Sequence, residues 1–263
     1  MTSKSNYKWV ICFGLVVLMF CTIGLTFSAF SIYLPYIRDL KGFTNFETSL
    51  LLTVRTLASI VAVFFVEKYL SSVGVRKGIL FSMAGVGASF LIYAFSPNFA
   101  GYLVAAGLCG WMYTMSGVAA AAILINRWFK TGRSTAMGIA SAGSGVSSII
   151  APLIIVPIIK NASLSTAFLV EAIFILVCAA VVFILIREYP SDYVNDGTNT
   201  DGLQRAGQKS KAKIYITSRG ITIILMIVMF LIGAMIYAIT GFMSMVFVEH
   251  FEGEKLAFLS TVY

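Results

Sequence analysis

One arginine and one glutamate stand inside long apolar stretches of the sequence, where each could do chemistry. Arg55 lies within residues 48–66, and Glu171 lies within residues 164–186. If such a stretch crosses a bilayer, a central arginine costs at least about 2.5–3.5 kcal/mol, so it normally faces protein or water. A planar guanidinium binds a carboxylate through two parallel hydrogen bonds. We therefore hypothesise that Arg55 attracts a carboxylate ligand; the alternative is an ion pair or carbonyl contacts that lock the structure.

The helix face that carries Arg55 differs from the rest of its stretch. At helical spacing, Arg55 shares a face with Thr48, Ser59 and Ala62, which are small or polar. Other positions of the stretch carry large apolar side chains that suit lipid: Leu51, Leu52, Val61 and Phe64. This pattern predicts that Arg55 points toward other helices or water.

Glu171 is the candidate partner of Arg55. Each residue lies about seven positions into its stretch from the same side, which places each about 10 Å deep at 1.5 Å per residue. Equal depth allows an ion pair to form but does not require one. The second hypothesis is that Glu171 is a buried carboxylate that takes up and releases a coupling proton.

Hydroxyl and aromatic side chains offer a possible lining for a small polar solute. The candidates are Thr26 in residues 9–33, Tyr113 in residues 99–125, and Tyr237 and Thr240 in residues 221–248. Hydroxyls beside an aromatic ring suit a solute held near the membrane midplane. The same groups would serve equally well in hydrogen bonds between helices.

Membrane-spanning helices must position these residues. The chain has 263 residues, of which 59% are hydrophobic and 11% are charged, whereas a soluble domain has about 25% charged residues. This excludes a soluble enzyme, a disordered protein and a disulfide-stapled secreted domain. An apolar helix of about 20 residues crosses a bilayer, and seven stretches qualify as spans 1 to 7: residues 9–33, 48–66, 78–95, 99–125, 135–159, 164–186 and 221–248.

The basic residues orient these spans. Fourteen of the 19 lysines and arginines flank the spans on one side and four lie on the other, so the positive-inside rule predicts a cytoplasmic N-terminus. This placement also explains the net charge of +8 without nucleic acid. The four cysteines lie inside apolar stretches at no metal-like spacing, and we expect neither a metal site nor a cofactor.

The longest connection divides the chain. Residues 188–219 are polar and then basic, and they lack apolar periodicity, which predicts a flexible cytoplasmic linker. The predicted domains are therefore a six-helix N-terminal bundle at 1–187, the linker at 188–219, and an incomplete C-terminal bundle at 220–263. This last part would hold span 7 and the start of an eighth helix.

Two short motifs resemble those of the major facilitator superfamily. The connection between spans 2 and 3 matches the second half of G-x-x-x-D-R-x-G-x-[RK]-[RK] at Gly74, Arg76 and Lys77, a gating loop in that family. Its first half departs from the pattern, because Glu67 and Ser71 stand where glycine and aspartate are expected.

The second motif opens span 5 and is more specific. Phe129, Arg133, Gly138 and Gly143 fit the entry to helix 5 in monocarboxylate transporters and oxalate/formate antiporters, to which the sequence is similar. The resemblance implies an all-α membrane protein with the major facilitator fold. It also implies a cell-membrane transporter of a small mono- or dicarboxylate, working by alternating access with proton symport or anion exchange.

Other functions remain as alternatives to this expectation. A drug or neutral-solute exporter of the same superfamily is the first, and a seven-helix receptor is a distant second because span 7 holds no lysine for a Schiff base. We expect no enzyme, since HExxH and clustered carboxylates are missing from the sequence. We expect the full-length protein to be a monomer in the lipid bilayer. Because alternating access needs two bundles, we also expect the sequence to be truncated.

Overall fold

A computed structural model of the chain describes residues 3–129 and 131–188, together with 223–224, 227–228 and 230–235. Every regular element within these residues is helical. Six helical stretches are long and apolar enough to cross a membrane, which confirms spans 1 to 6 and the all-α membrane fold. Their bounds are Tyr7–Lys41, Asn45–Val73, Val75–Phe95, Phe99–Trp128, Arg133–Asn161 and Leu164–Leu185.

Span 1 is helical throughout but not regular. An α-helix over Ser3–Met19 passes into a π-helix over Phe20–Ser28, a short 3-10 turn over Ala29–Ile32, and a final α-helix over Tyr33–Lys41. The predicted end at residue 33 is therefore too early. The cause is Pro35, which lies in the first turn of that final helix, where proline breaks no hydrogen bond.

Two further helix bounds differ from the prediction for local reasons. Span 2 begins at Asn45 rather than residue 48, because Thr44 and Glu47 form a reciprocal capping box that satisfies its first backbone donors. Span 4 is interrupted at Gly117, which separates the helices Phe99–Ser116 and Val118–Trp128. Span 5, in contrast, stays helical through two prolines over Arg133–Asn161.

Glycines allow two pairs of helices in the bundle to approach closely. Span 2 packs along the first half of span 4, where a Cβ added at Gly110 would collide with the carbonyl oxygen of Arg55. Span 5 packs on span 1, where a Cβ at Gly143 would collide with the carbonyl oxygen of Val16. Small residues at such contacts are how helices associate where lipid supplies no hydrophobic driving force.

The spans alternate in direction, so the bundle has two distinct ends. At one end, which we name the basic end, the starts of spans 1 and 3 meet the ends of spans 4 and 6, and Tyr7 donates to the carbonyl of Leu185 at 3.0 Å. At the opposite end, the ring of Phe43 lies 5.3 Å from that of Phe99 at the start of span 4.

The predicted C-terminal part lies mostly outside the described residues. The residues at 223–224, 227–228 and 230–235 are helical, in agreement with span 7. Tyr237 and Thr240 lie outside the described residues, as does the predicted linker apart from Glu188. The division into three domains therefore stays a prediction.

Candidate functional site

Arg55 is buried at the junction of spans 1, 2 and 4. Its side chain is 2% exposed, and its Nη1 donates to the carbonyl of Thr26 at 2.6 Å. The guanidinium carbon lies 5.3 Å from the ring centre of Phe27 and 4.9 Å from that of Phe30. Its Nε has no hydrogen-bond partner, and no described carboxylate forms an ion pair with it. The burial confirms that this face of span 2 points inward.

The irregular part of span 1 presents the Thr26 carbonyl to Arg55. Thr26 lies in the π-helix, a rare conformation that is frequent at functional sites. Its hydroxyl donates to the carbonyl of Thr22, whose own hydroxyl donates to Leu18 at 2.8 Å. The Thr26 hydroxyl, which we expected to line a solute site, therefore bonds within its own helix. The carbonyl of Thr26 contacts Arg55 instead.

The face of span 2 beside Arg55 departs from the prediction at one residue. Thr48 and Ala62 are fully buried, as expected from their spacing. Leu51 is also fully buried, so its assignment to lipid was wrong. The reason is that span 4 packs closely along span 2 and covers a wider arc than the small residues alone occupy.

An aromatic cluster fills the interior between Arg55 and the opposite end of the bundle. Its six rings are each at most 1% exposed: Phe30, Tyr33, Phe90, Tyr93, Tyr102 and Phe168. The rings of Tyr33 and Tyr93 both stack on Phe168, at 4.3 and 5.2 Å. The hydroxyls of Tyr93 and Tyr102 have no hydrogen-bond partner. Sequence reasoning missed both tyrosines, although a tyrosine within an apolar span is a visible signal.

Glu171 is bound by this cluster and not by Arg55. Its side chain is 5% exposed, one oxygen accepts from the hydroxyl of Tyr33 at 2.5 Å, and the other oxygen has no partner. The predicted Arg55–Glu171 ion pair is not formed. Because span 2 starts at Asn45, Arg55 lies ten residues into its helix, so it is about 15 Å deep and not 10 Å.

Tyr113 lies beside the same group of residues. Its side chain is half-buried, and its ring centre is 6.4 Å from that of Phe27. The structure thus brings Arg55 and Thr26 into direct contact, and it places the ring of Tyr113 next to Phe27, which itself lies next to the guanidinium. The other two predicted lining residues belong to span 7, outside the described part of the chain.

The gating-loop motif lies at the basic end and makes defined contacts there. Gly74 has φ +85°, a conformation that favours glycine, and it begins span 3 without a capping side chain of its own. Arg76 donates from Nε and Nη2 to the carbonyl of Phe183 at 3.1 and 2.9 Å, whereas Lys77 is exposed. The motif therefore joins the start of span 3 to the end of span 6.

Glu188 completes this junction, and sequence reasoning missed it. One carboxylate oxygen accepts from the backbone N–H of Val75 at 3.3 Å and from Arg127 at 3.2 Å. A negative charge at the start of a helix is favourable because the first backbone donors and the helix dipole point at it. No local pattern could have found this contact, because 113 residues separate Glu188 from Val75.

The helix-5 motif divides into packing and exposed positions. Phe129 is buried, with its ring centre 5.9 Å from that of Trp9, and its carbonyl accepts from Arg133 at 2.7 Å. Gly143 is packed against span 1, whereas a Cβ at Gly138 would meet nothing within 4 Å. Only part of this motif is therefore explained by packing within the described bundle.

One stretch of the chain, which holds the candidate site residues and both motifs, matches a known family. Residues 16–263 match the family model described as Major Facilitator Superfamily. The matched range contains Arg55, Glu171 and both motifs. No curated protein matches the chain.

Proposed function

Because the chain belongs to the major facilitator superfamily and is a multi-pass membrane transporter of that family, we propose that it carries a small organic anion. The substrate class is a mono- or dicarboxylate, moved by alternating access. The observation that carries this proposal is Arg55, a guanidinium that is 2% exposed and has no described carboxylate partner.

The energetics of a buried cation support an anionic ligand. An unpaired charge inside a bundle costs several kcal/mol, about 3–5 kcal/mol where a partner has been removed. The single carbonyl of Thr26 and the faces of Phe27 and Phe30 offset only part of this cost. A carboxylate bound at Arg55 would supply the missing charge and an acceptor for the unbonded Nε.

Glu171 is the proposed coupling group in proton symport. It is buried with one oxygen unbonded and the other held by Tyr33. A carboxyl in that setting is neutral at lower cost than it is ionised, so its charge can follow the transport cycle through proton uptake. Anion exchange is the alternative mechanism, in which Glu171 would only position Tyr33.

Several further assignments belong to the same proposal. The helix-5 motif supports the monocarboxylate and oxalate/formate branch, in which span 7 would contribute Tyr237 and Thr240 to the substrate site. The loop with Gly74, Arg76 and Lys77 would act in gating. The excess of lysine and arginine supports a cell-membrane protein with its N-terminus and basic end in the cytoplasm.

An uptake screen with the full-length protein in proteoliposomes tests this function. Labelled carboxylates of increasing size are offered with and without an inward proton gradient. Arg55→Lys and Arg55→Gln are compared with Arg38→Gln, which changes a partly exposed arginine that pairs with Asp39 at 2.7 Å. We expect carboxylate uptake that Arg55→Gln abolishes and Arg38→Gln preserves. Uptake of drugs or neutral solutes instead, or normal uptake by Arg55→Gln, would contradict the proposal.

A further inference from the structure

A second unsatisfied donor lies beside Arg55. The side chain of Tyr93 is fully buried, and its hydroxyl has no hydrogen-bond partner. Both groups contact one ring: the guanidinium carbon of Arg55 is 4.9 Å from the centre of Phe30, and the ring of Tyr93 is 5.3 Å from it.

Two neighbouring donors without acceptors are unusual inside a folded protein. Most buried polar groups have a partner, and each one left without a partner costs free energy. The Nε of Arg55 and the hydroxyl of Tyr93 are the donors concerned, one on span 2 and the other on span 3. An acceptor with negative charge would satisfy both at once, which a neutral solute would do less well.

We propose that Tyr93 is a specificity-determining residue of the anion site at Arg55, donating its hydroxyl to the same carboxylate as the guanidinium. This inference rests on the proposed function, since it requires Arg55 to bind an anion. The rings of Phe30, Phe90 and Phe168 lie within 6.5 Å of each other or of Tyr93. Because these rings enclose Tyr93, carboxylates of few atoms, formate and acetate, are the probes that test this role.

Tyr102 provides a matched control within the same cluster. It is also fully buried, and its hydroxyl is also without a partner. Its ring lies 5.4 Å from Tyr93 and 5.4 Å from Phe43, toward the opposite end of the bundle. The ring contacts described for Tyr102 are with Phe43, Tyr93 and Phe168, none of which carries the guanidinium of Arg55. The two tyrosines therefore differ in their access to Arg55, while burial and chemistry are the same.

The test compares Tyr93→Phe with Tyr102→Phe in the full-length protein. Each change removes one unsatisfied oxygen, so both variants should fold with an unchanged or slightly raised Tm. Uptake of labelled formate and acetate into proteoliposomes gives KM and the maximal rate. We expect Tyr93→Phe to raise KM by about tenfold or more, the loss of one hydrogen bond to a charged group. Tyr102→Phe should stay within about twofold of the wild type.

Arg55→Gln in the same assay separates the two proposals. If Arg55→Gln abolishes uptake while Tyr93→Phe leaves KM unchanged, the role of Tyr93 is wrong and the anion site stands. Equal effects of Tyr93→Phe and Tyr102→Phe on KM would also overturn the role of Tyr93, because the change would then come from altered packing of the rings. Normal uptake by Arg55→Gln would overturn the proposed function and this inference with it.

Discussion

The basic end of the bundle and its interior differ in how completely their polar groups are hydrogen-bonded. At the basic end, the last residues of span 6 are bonded to three other spans. Arg76 binds the carbonyl of Phe183 through two nitrogens, Tyr7 binds that of Leu185, and Trp128 binds that of Arg187 at 2.9 Å. These contacts satisfy the carbonyls of Phe183 and Leu185, which belong to the last turn of the helix, where carbonyls lack partners within the helix.

The interior, in contrast, holds polar groups whose bonding is incomplete. Arg55, Tyr93, Tyr102, Ser147 and Glu171 each carry a buried atom without a hydrogen-bond partner. Fully bonded contacts stabilise one arrangement of the helices. Buried polar groups without partners lower stability, and such groups are rare in folded proteins and often belong to functional sites. The difference supports a structural role for the basic end and agrees with the ligand site that we propose in the interior.

Removing the charge of Arg55 is the strongest test of this contrast. We expect Arg55→Gln to lower carboxylate uptake by about 100-fold or more, since two hydrogen bonds to a charged group are worth about 3 kcal/mol together. We also expect Arg55→Leu to leave Tm unchanged or raise it, because it removes an unpaired buried charge. Transport assays and thermal unfolding in detergent measure the two effects. A Tm lowered by both variants, with uptake per folded protein unchanged, would assign Arg55 to structure.

The second test concerns Glu171 and asks whether a proton gradient drives uptake of the same substrate. Glu171→Gln keeps an acceptor for Tyr33 but cannot release a proton. We expect uptake to lose all of its stimulation by an inward proton gradient, while exchange of labelled for unlabelled carboxylate continues. Asp39→Asn, an exposed acid at the opposite end, is the control. Gradient stimulation that survives Glu171→Gln would show that another group carries the proton, whereas wild-type uptake that the gradient does not stimulate would favour anion exchange.

The sequence predicted the elements of this molecule better than its contacts. Six spans and the inward face of Arg55 followed from the length and spacing of apolar residues, which depend on the bilayer and on helix geometry alone. The partners of Arg55 and Glu171 did not follow, because they depend on the π-helix in span 1 and on how the spans pack. Glu188 was invisible for the same reason, since its contacts join distant parts of the chain.

Glycine contacts offer a third test, which concerns the packing that holds Arg55 in place. Gly110→Ala would drive a Cβ into the backbone carbonyl of Arg55. We expect it to destabilise the bundle by about 1–3 kcal/mol, the usual cost of overpacking, and to weaken carboxylate binding by shifting Arg55. Gly138→Ala is the control, because its Cβ would meet nothing within 4 Å and alanine favours a helix by about 0.5–1 kcal/mol. Equal thermal stability of the two variants would show that span 2 can move away from span 4 without cost.

The smallest effect is expected at Glu188, and it tests whether the basic end is structural alone. Its ion pair with Arg127 is partly exposed, 34% for the glutamate, and the attraction is weakened by water. Glu188→Gln should therefore cost about 1 kcal/mol, mostly through the weaker cap on span 3, which thermal unfolding in detergent measures. Glu67→Gln, an exposed acid of the same end, should change stability by less than about 0.5 kcal/mol. If Glu188→Gln altered the KM for carboxylate as much as Arg55→Gln, the two regions would not differ in function. A fully bonded group at the basic end would then affect ligand binding as strongly as Arg55 does.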